Sequence, residues 1–272
     1  MTQPLDTTKP NIARMYDYWL GGKDNFEADR KAAEAVRERR PEVPEQALDN
    51  KKFLTRAVTY VAGRGVRQFL DIGSGLPTSP SARPGRQAPW LSTHEAAGAV
   101  IADPVVAYVD YDPVAVLHSE ALLTGGSRRV VAVAGDMRDP AAILAREEIR
   151  SAGFDPNVPA CVILACVLHF VDGPTARGIV TAFTQALAPG SYLVISIGFA
   201  RGDGGEDFAR TYNAQGGARI YAQTWEQITA LFDGLEVLPP GIVDSAVWRA
   251  EWQQTAQPDR PSIIAAGVGR RT

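Results

Sequence analysis

The chain has 272 residues, of which 45% are hydrophobic and 22% charged, and this ordinary globular composition excludes a disordered or fibrous protein. Its 28 basic and 31 acidic residues give a net charge of −3, which argues against a nucleic-acid partner because nucleic-acid binders carry a basic surplus. The polar N-terminus and the absence of an apolar run of about 18 residues predict a cytoplasmic protein with neither a signal peptide nor a membrane span.

The first 63 residues predict three helices, which we expect to form a cap on the rest of the chain. Apolar residues recur at steps of three and four over residues 12–20, which is the pattern of one helical face. A second helix is predicted over residues 27–40, because this segment is rich in Ala, Glu and Arg and is followed by the helix breaker Pro41. A further apolar stripe over residues 54–61 predicts a third helix that closes at Gly63.

From residue 64 onward, short β-branched runs alternate with segments of helical length. This alternation predicts an α/β fold with a doubly wound, mostly parallel, seven-stranded sheet of the Rossmann-like type. Two stretches interrupt the alternation and are predicted to be loops, namely residues 79–91 with three prolines and residues 198–217 with many Gly and Asp. The predicted strands are 66–72, 105–110, 130–134, 160–168, 192–197, 235–243 and 262–268, and the predicted helices are 93–102, 113–123, 140–151, 175–187 and 224–232.

A glycine-rich turn follows the first predicted strand, at the sheet edge where parallel α/β proteins bind ligands. Gly73, Ser74 and Gly75 form this turn, and its glycines let a ligand approach the backbone closely. A dinucleotide-binding turn would have a third glycine where this chain has Thr78, and Asp71 would repel a pyrophosphate. A carboxylate at this position suits a ligand with a cationic amine, and the methionine end of S-adenosylmethionine carries such an amine.

The second predicted strand ends in a segment that suits a ribose. Asp110 lies at the strand tip, where a carboxylate can accept hydrogen bonds from both ribose hydroxyls. Tyr111 follows it and is predicted to lie against the adenine face. Asp112 directly precedes the helix that begins at Pro113, so we assign the helix cap to Asp112 and the ribose to Asp110.

The third predicted strand also ends in acidic residues. Asp136 can accept a hydrogen bond from the adenine amino group, while the backbone N–H of Met137 donates to the adenine ring. The alternative role, capping the next helix, is better filled by Asp139, which stands directly before Pro140. Carboxylates at three successive strand tips together predict an adenosine site.

These features resemble the class I S-adenosylmethionine-dependent methyltransferases, and most closely the actinomycete S-adenosyl methyltransferase family long known as a domain of unknown function. The most specific part of the resemblance is the N-terminal sequence ARMYDYWLGGKDNF, residues 13–26. The resemblance covers nearly the whole chain and implies a methyltransferase with S-adenosyl-L-methionine as cofactor. We predict a single domain over residues 1–272, with a helical N-terminal cap (1–63), a cofactor-binding core (64–198), and C-terminal strands with a substrate-side loop (199–272).

The N-terminal segment of this family resemblance is predicted to close over the cofactor. Tyr16 belongs to the apolar stripe and is expected in the core, whereas Tyr18 lies off the stripe and is the better candidate for a ligand contact. Gly22, Lys23 and Asn25 belong to or follow a Gly-Gly turn, a place that often holds functional polar groups. The alternative is that these residues form a solvated loop.

His169 follows the fourth predicted strand, near the expected position of the transferring methyl group, and is the candidate general base. The alternative is a histidine held by a hydrogen bond to the backbone. A base is needed only if the acceptor is protonated at neutral pH, because the sulfonium already activates the methyl group. With two cysteines, three histidines and no close cluster of them, no metal site is predicted.

The chain departs from the family pattern after Thr78, where about a dozen residues are inserted before Ser92. The insertion emerges on the ligand side of the sheet, and its large apolar residues Trp90 and Leu91 make it a candidate lid over the acceptor. Alternatively, these two residues anchor the loop to a neighbouring surface, the loop is disordered, or the insertion has abolished the activity.

The sequence therefore predicts methyl transfer to an unidentified acceptor, by default a small molecule, with no nucleic-acid or membrane partner. Because of the insertion, a non-catalytic S-adenosylmethionine sensor stays open as an alternative. A nicotinamide-dependent oxidoreductase would have the same fold but is disfavoured by Asp71 and Thr78.

Overall fold

The structure, a computed structural model, describes residues 6–78, 90–123, 127–198, 204–215, 218–249 and 263–272. The helices in these ranges are α1 (Ile12–Trp19), α2 (Glu27–Arg39), α3 (Val43–Gly63), α4 (Thr93–Gly98), α5 (Pro113–Leu123), α6 (Pro140–Leu144), α7 (Glu147–Ser151), α8 (Gly173–Ala186), α9 (Gly204–Asn213) and α10 (Trp225–Ala230). The strands are β1 (Gln68–Ile72), β2 (Val105–Asp110), β3 (Val130–Ala134), β4 (Cys161–Ala165), β5 (Tyr192–Gly198), β6 (Glu236–Val237), β7 (Val243–Asp244) and β8 (Ile264–Arg270). Of the helices in these ranges, none is both long and apolar enough to cross a membrane.

The strands form one sheet in the order β3-β2-β1-β4-β5-β8-β6, and β7 also pairs with β8. Strands β1 to β5 are parallel, whereas β8 runs antiparallel to β5. This confirms the predicted doubly wound, mostly parallel α/β sheet. The described sheet has eight strands and not the predicted seven, because the segment 235–243 forms two short strands. Pro239 and Pro240 lie between them and have no backbone N–H to donate to a neighbouring strand.

The strand order changes direction at β1, which has β2 on one side and β4 on the other. Ile72 of β1 pairs with Val109 of β2 and with Leu164 of β4, so the three strands end at the same level. The turns that follow these strands therefore meet at one edge of the sheet. In doubly wound folds this switch point is where ligands bind.

The central strands are buried on both faces. Cys161, Val162, Ile163 and Leu164 of β4 are all fully buried, two on each face of the sheet. One face packs against helices that include α8, and the other packs against α3 through residues such as Phe53. This two-sided burial confirms the reading of the continuous apolar run in the sequence as an interior parallel strand.

The N-terminal helices are held together by a buried ion pair. Arg14 Nε of α1 donates to Asp29 Oδ2 of α2 at 2.7 Å, and Asp29 is fully buried. The Asp29 carboxylate also accepts the backbone N–H groups of Asn11 and Phe26 at 2.8 Å each. This single carboxylate therefore fixes the start of α1 relative to the start of α2.

Several predicted elements have different bounds in the structure; α4, for example, ends at Gly98 and not at residue 102. Helix α3 begins at Val43 and not near residue 54, and its early part escaped the sequence pattern because it includes buried polar residues such as Asn50. The predicted helix 140–151 forms the two short helices α6 and α7. The fourth strand ends at Ala165, since Cys166 adopts a φ of +55° and a 3-10 turn over Leu168–Phe170 follows.

The loop prediction for residues 198–217 is wrong for residues 204–213, which form α9. The glycines at its start gave no helical signal, but Glu206 and Asp207 in its first turn suit the positive end of a helix dipole. Ala209 and Tyr212 of α9 pack into the N-terminal cluster that contains Met15. The fold of the N-terminal cap thus includes a helix from the C-terminal part of the chain.

Candidate active site

A cavity of about 340 Å³ opens at the carboxyl ends of β1 to β4, and this volume is typical of small-molecule sites. Residues from seven segments of the chain line it. Within the described residues, no group of His, Cys, Asp and Glu side chains is arranged to hold a metal ion. The lining residues are Asn11, Ile12, Ala13 and Tyr16; Asn50, Lys51 and Leu54; Asp71, Gly73 to Leu76 and Thr78; Asp110 to Asp112 and Gly135 to Arg138; and Ala165 to Val167, Phe170, Val171 and Ala218.

The turn after β1 forms the floor of the cavity. Gly73 and Gly75 have φ angles of +66° and +67°, which favour glycine, and a side chain at Gly73 would collide with Val167. The Ser74 hydroxyl oxygen is buried and has no hydrogen-bond partner among the described residues. Because a buried hydroxyl without a partner is costly, Ser74 is a donor available to a ligand.

Asp71 lies at the end of β1 and lines the cavity, as its sequence position predicts. Its Oδ2 atom accepts a hydrogen bond from the Thr93 hydroxyl at 2.6 Å. Burial raises the pKa of Asp71, while the Thr93 hydrogen bond and the positive charge of Lys51 oppose that shift. One carboxylate oxygen is thus held by the protein, and the other accepts no hydrogen bond from a described residue.

Asp110 connects the tip of β2 to the glycine turn. Its Oδ2 accepts the backbone N–H of Gly75 at 2.8 Å, and its Oδ1 accepts that of Asp112 at 2.9 Å. Each oxygen keeps a free lone pair, so the carboxylate can still accept hydrogen bonds from a ligand. Asp112 accepts the N–H of Val114 at 2.8 Å, which confirms it as the cap of α5.

The tip of β3 carries an exposed ion pair. Asp136 lines the cavity, and the Arg138 guanidinium binds its carboxylate and lowers its pKa. Met137 also lines the cavity, and Tyr111 stands at the rim with 64% of its surface exposed, free to pack on a ligand. Asp139 accepts the N–H of Ala142 at 3.0 Å and caps α6, as predicted.

Helix α1 forms one wall of the cavity through residues that the sequence reading did not select. The Asn11 side-chain amide donates to Asp112 Oδ2 at 2.7 Å, which ties the start of α1 to the end of β2. The Tyr16 hydroxyl donates to the carbonyl of Ala47 and accepts the side-chain amide of Asn50, both at 3.0 Å. Tyr16, predicted as core, therefore faces the cavity.

The four N-terminal residues proposed as ligand contacts do not line the cavity. Tyr18 donates its hydroxyl to Glu34 at 2.6 Å, and Lys23 is exposed. Asn25 donates to the buried carboxylate of Asp17 at 2.9 Å. A side chain at Gly22 would collide with that same carboxylate. The Gly-Gly turn is therefore built around Asp17. Gly22 is required by the close approach of this carboxylate, and Asn25 is required to donate a hydrogen bond to it.

His169 is placed away from the cavity, although the adjacent Phe170 lines it. The ring is buried and packs on Phe170 with a centroid distance of 4.4 Å. Its Nδ1 atom accepts the backbone N–H of Gly198 at 3.3 Å, and burial lowers the pKa of His169 to about 4. A backbone hydrogen bond thus satisfies the Nδ1 atom of the ring. His169 does not line the cavity, and its role as general base stays a prediction.

Helix α3 contributes lining residues that the sequence reading missed. Asn50, Lys51 and Leu54 line the cavity, and Asn50 Oδ1 accepts the Ser196 hydroxyl at 2.6 Å. Asn50 and Leu54 are four residues apart, which is the spacing of one helical face. That spacing could have identified these lining residues from the sequence, but only if the predicted helix had begun before residue 54. Cys166 completes this wall in a left-handed backbone conformation, a kind of strain that clusters at functional sites.

The end of the inserted loop is attached to α3. The backbone N–H of Leu91 donates to the Thr55 hydroxyl at 2.9 Å, and Trp90 lines a small cavity of about 40 Å³ that adjoins the first. Residues 79–89, the rest of the proposed lid, lie outside the described residues. The lid hypothesis therefore stays a prediction.

Comparison with known proteins gives a consistent result. A family model described as S-adenosyl methyltransferase matches residues 1–272. A protein from Thermobifida fusca, described as a candidate methyltransferase, has 38% identity and a TM-score of 0.87 over 98% of this chain and 96% of that chain. A DUF574 family protein from Streptomyces avermitilis has 35% identity and a TM-score of 0.86, over 98% of this chain and 99% of that chain. No functionally curated protein matches the chain.

Proposed function

This chain belongs to the S-adenosyl methyltransferase family, and on that premise we propose that it transfers a methyl group from S-adenosylmethionine to a small-molecule acceptor. Family membership supplies the type of reaction and the cofactor. The roles of individual residues and the class of acceptor are proposed from the geometry of the cavity.

One observation carries the proposal for the site. The carboxylates of Asp71, Asp110 and Asp136 follow three neighbouring strands and line a single cavity. Their order across the sheet, β1 then β2 then β3, matches the order of the ammonium, ribose and adenine groups along the cofactor. The unpartnered hydroxyl of Ser74 lies in the same cavity, as expected of a site completed by a polar ligand.

Four residues of the cavity have roles in holding the adenosine part of the cofactor. The free lone pairs of Asp110 accept the ribose hydroxyls, and Asp136 accepts the adenine amino group beside Arg138. Tyr111 packs on the exposed face of the adenine. Gly73 lets the ligand reach the backbone of the turn, because no side chain fits there.

When bound, the cofactor supplies a methyl group already activated by its sulfonium. The protein has to align the acceptor with that group and to exclude water, and such positioning can supply roughly 7 to 11 kcal/mol. Phe170 and Val171 give the cavity an apolar side, and Tyr16 of α1 also lines it. An acceptor that is already deprotonated needs no base from the protein.

A small-molecule acceptor fits this chain better than a polymer. The Asn11–Asp112 hydrogen bond joins α1 to the tip of β2 beside the cavity, and the cavity volume of about 340 Å³ suits a small molecule. The net charge of −3 also provides no attraction for a polyanion.

Calorimetry with S-adenosylhomocysteine tests the site. We expect Asp110→Ala to weaken binding by about 1.5 to 3 kcal/mol, the contribution of a hydrogen bond to a charged group. Asp139→Ala is the matched control, because this carboxylate also follows β3 but caps α6 and does not line the cavity.

The control variant should bind as the wild-type chain does, at a small cost in stability. Unchanged affinity in Asp110→Ala would contradict the ribose role. Formation of S-adenosylhomocysteine from S-adenosylmethionine with a panel of small phenols, carboxylic acids and amines tests turnover. Cofactor binding with no turnover across the panel would favour the sensor alternative.

A further inference from the structure

Lys51 is a cavity residue without a role in the adenosine site described above. It lies on α3, and its ammonium stands 5.7 Å from the centre of the Tyr16 ring. The next residue, Lys52, instead forms an ion pair with Asp49 at 3.7 Å and does not line the cavity. Among the described residues, no side chain forms a hydrogen bond or an ion pair with the Lys51 ammonium.

The surroundings of Lys51 call for an anion. Burial lowers the pKa of Lys51, and the negative charge of Asp71 partly offsets that effect. The Lys51 side chain is half-buried, and a cation partly removed from water is costly unless an opposite charge compensates it. Asp71 gives only partial compensation, because its Oδ2 already accepts the Thr93 hydroxyl and no ion pair joins it to Lys51.

The position of Lys51 indicates which end of the ligand it meets. Lys51 and Asp71 line both the main cavity and the small adjoining cavity next to Thr93. Asp110, at the proposed ribose position, and Phe170 and Val171, on the apolar side, line the main cavity alone. Lys51 therefore lies at the β1 end of the cavity, beyond the ribose position at Asp110.

An ammonium and a carboxylate that line the same end of the cavity without pairing with each other are complementary to an amino-acid zwitterion. We propose that Lys51 binds the carboxylate of the cofactor's methionine group while Asp71 binds its ammonium, an inference that rests on the proposed function. The pair then selects ligands that carry the complete amino-acid group. Adenosine compounds without that group gain nothing from Lys51.

Two ligands and two matched variants test this proposal on the full chain. S-adenosylhomocysteine carries the amino-acid group, and 5′-methylthioadenosine has the same adenosine and sulfur but no charged group. We expect Lys51→Met to weaken binding of S-adenosylhomocysteine by about 10- to 100-fold in calorimetry, the range for a lost charge-assisted hydrogen bond. Binding of 5′-methylthioadenosine should stay within about 2-fold of wild type, because this ligand has no carboxylate for Lys51 to bind. A 2-fold change corresponds to less than about half a kcal/mol.

Lys52→Met is the control on the same helix and should change neither affinity. Lys51→Arg should keep most of the preference for S-adenosylhomocysteine, since it keeps the charge. Lys51→Gln gives the same comparison if the methionine variant fails to fold by circular dichroism.

The outcomes separate this inference from the proposed function. Equal binding of S-adenosylhomocysteine by wild type and Lys51→Met overturns the role of Lys51 and leaves the proposed function intact. An equal loss for both ligands also overturns it, because Lys51 then acts on the shape of the cavity. A wild-type chain that binds neither ligand overturns the proposed function and this inference together.

Discussion

His169 and Asp71 both follow buried strands, and the structure gives them different surroundings. Asp71 lines the cavity and keeps one carboxylate oxygen free of protein donors. His169 lies behind Phe170, and its Nδ1 atom is occupied by the backbone N–H of Gly198. We therefore expect Asp71 to act in binding and His169 to act in stability.

The buried histidine predicts a dependence of stability on pH. Burial lowers the pKa of His169 to about 4 in the folded chain, against 6.5 for the free side chain. Between these values the unfolded chain binds a proton that the folded chain does not, so stability falls as the pH falls. From about pH 7.5 to about pH 5 this group should cost about 2 kcal/mol of the free energy of unfolding.

Urea unfolding of the wild-type chain and of His169→Asn at both pH values measures this effect. On acidification, the free energy of unfolding of the variant should fall by about 2 kcal/mol less than that of the wild-type chain, because asparagine does not titrate. Identical pH dependence in both chains would contradict the assignment. If His169→Asn instead reduced turnover by more than about 100-fold with unchanged cofactor affinity, the general-base prediction would be supported.

Among the elements, α1 has the most direct link between folding and binding. It carries Asn11, Ile12, Ala13 and Tyr16 to the cavity, and its position depends on the buried carboxylate of Asp29. A short helix has little stability alone, so tertiary contacts hold it in place. Loss of the Asp29 contacts should therefore affect both stability and the cavity wall.

Asp29→Ala leaves the Arg14 charge buried without its partner and removes the acceptor of two backbone N–H groups. We expect a loss of about 3 to 5 kcal/mol in the free energy of unfolding, measured in urea. Glu27→Ala is the control in the same helix, because its ion pair with Lys31 is exposed and should contribute little to stability. Similar losses in both variants would contradict the role of the buried pair.

At the scale of the whole molecule, the cavity joins segments that are far apart in the chain. Its lining extends from Asn11 to Ala218 and includes α1, α3 and the ends of four parallel strands. A ligand in this cavity contacts the cap and the sheet together, and it has no such site in the unfolded chain. Binding should therefore stabilise the whole fold and not one element.

S-adenosylhomocysteine at about 100 times its dissociation constant should raise the free energy of unfolding by about 2.7 kcal/mol. NADH at the same concentration should leave it unchanged, because Asp71 and Thr78 disfavour a pyrophosphate at the turn. Chemical denaturation with each ligand measures both effects. Stabilisation by NADH but not by S-adenosylhomocysteine would support the oxidoreductase alternative and contradict the proposed function.

The sequence by itself determined the sheet, the glycine turn and the carboxylates at three strand tips. These features follow from local patterns, because apolar runs mark buried strands and each strand tip in a parallel sheet has a fixed place at the ligand edge. The helix caps at Asp112 and Asp139 could also be predicted from the sequence, since a capping side chain accepts a hydrogen bond from a backbone N–H only two or three residues away.

The tertiary structure alone decided which side chains of the N-terminal cap face the cavity. Tyr16 and Tyr18 lie in one helix, yet only Tyr16 lines the cavity, because Asp29 of α2 and residues of α9 fix the orientation of α1. The cavity position of Lys51 could not be predicted for a similar reason. A polar residue on a helix is expected to face solvent until the packing of that helix is known. The direction of a side chain in a helix is local, but what it meets depends on segments distant in the chain.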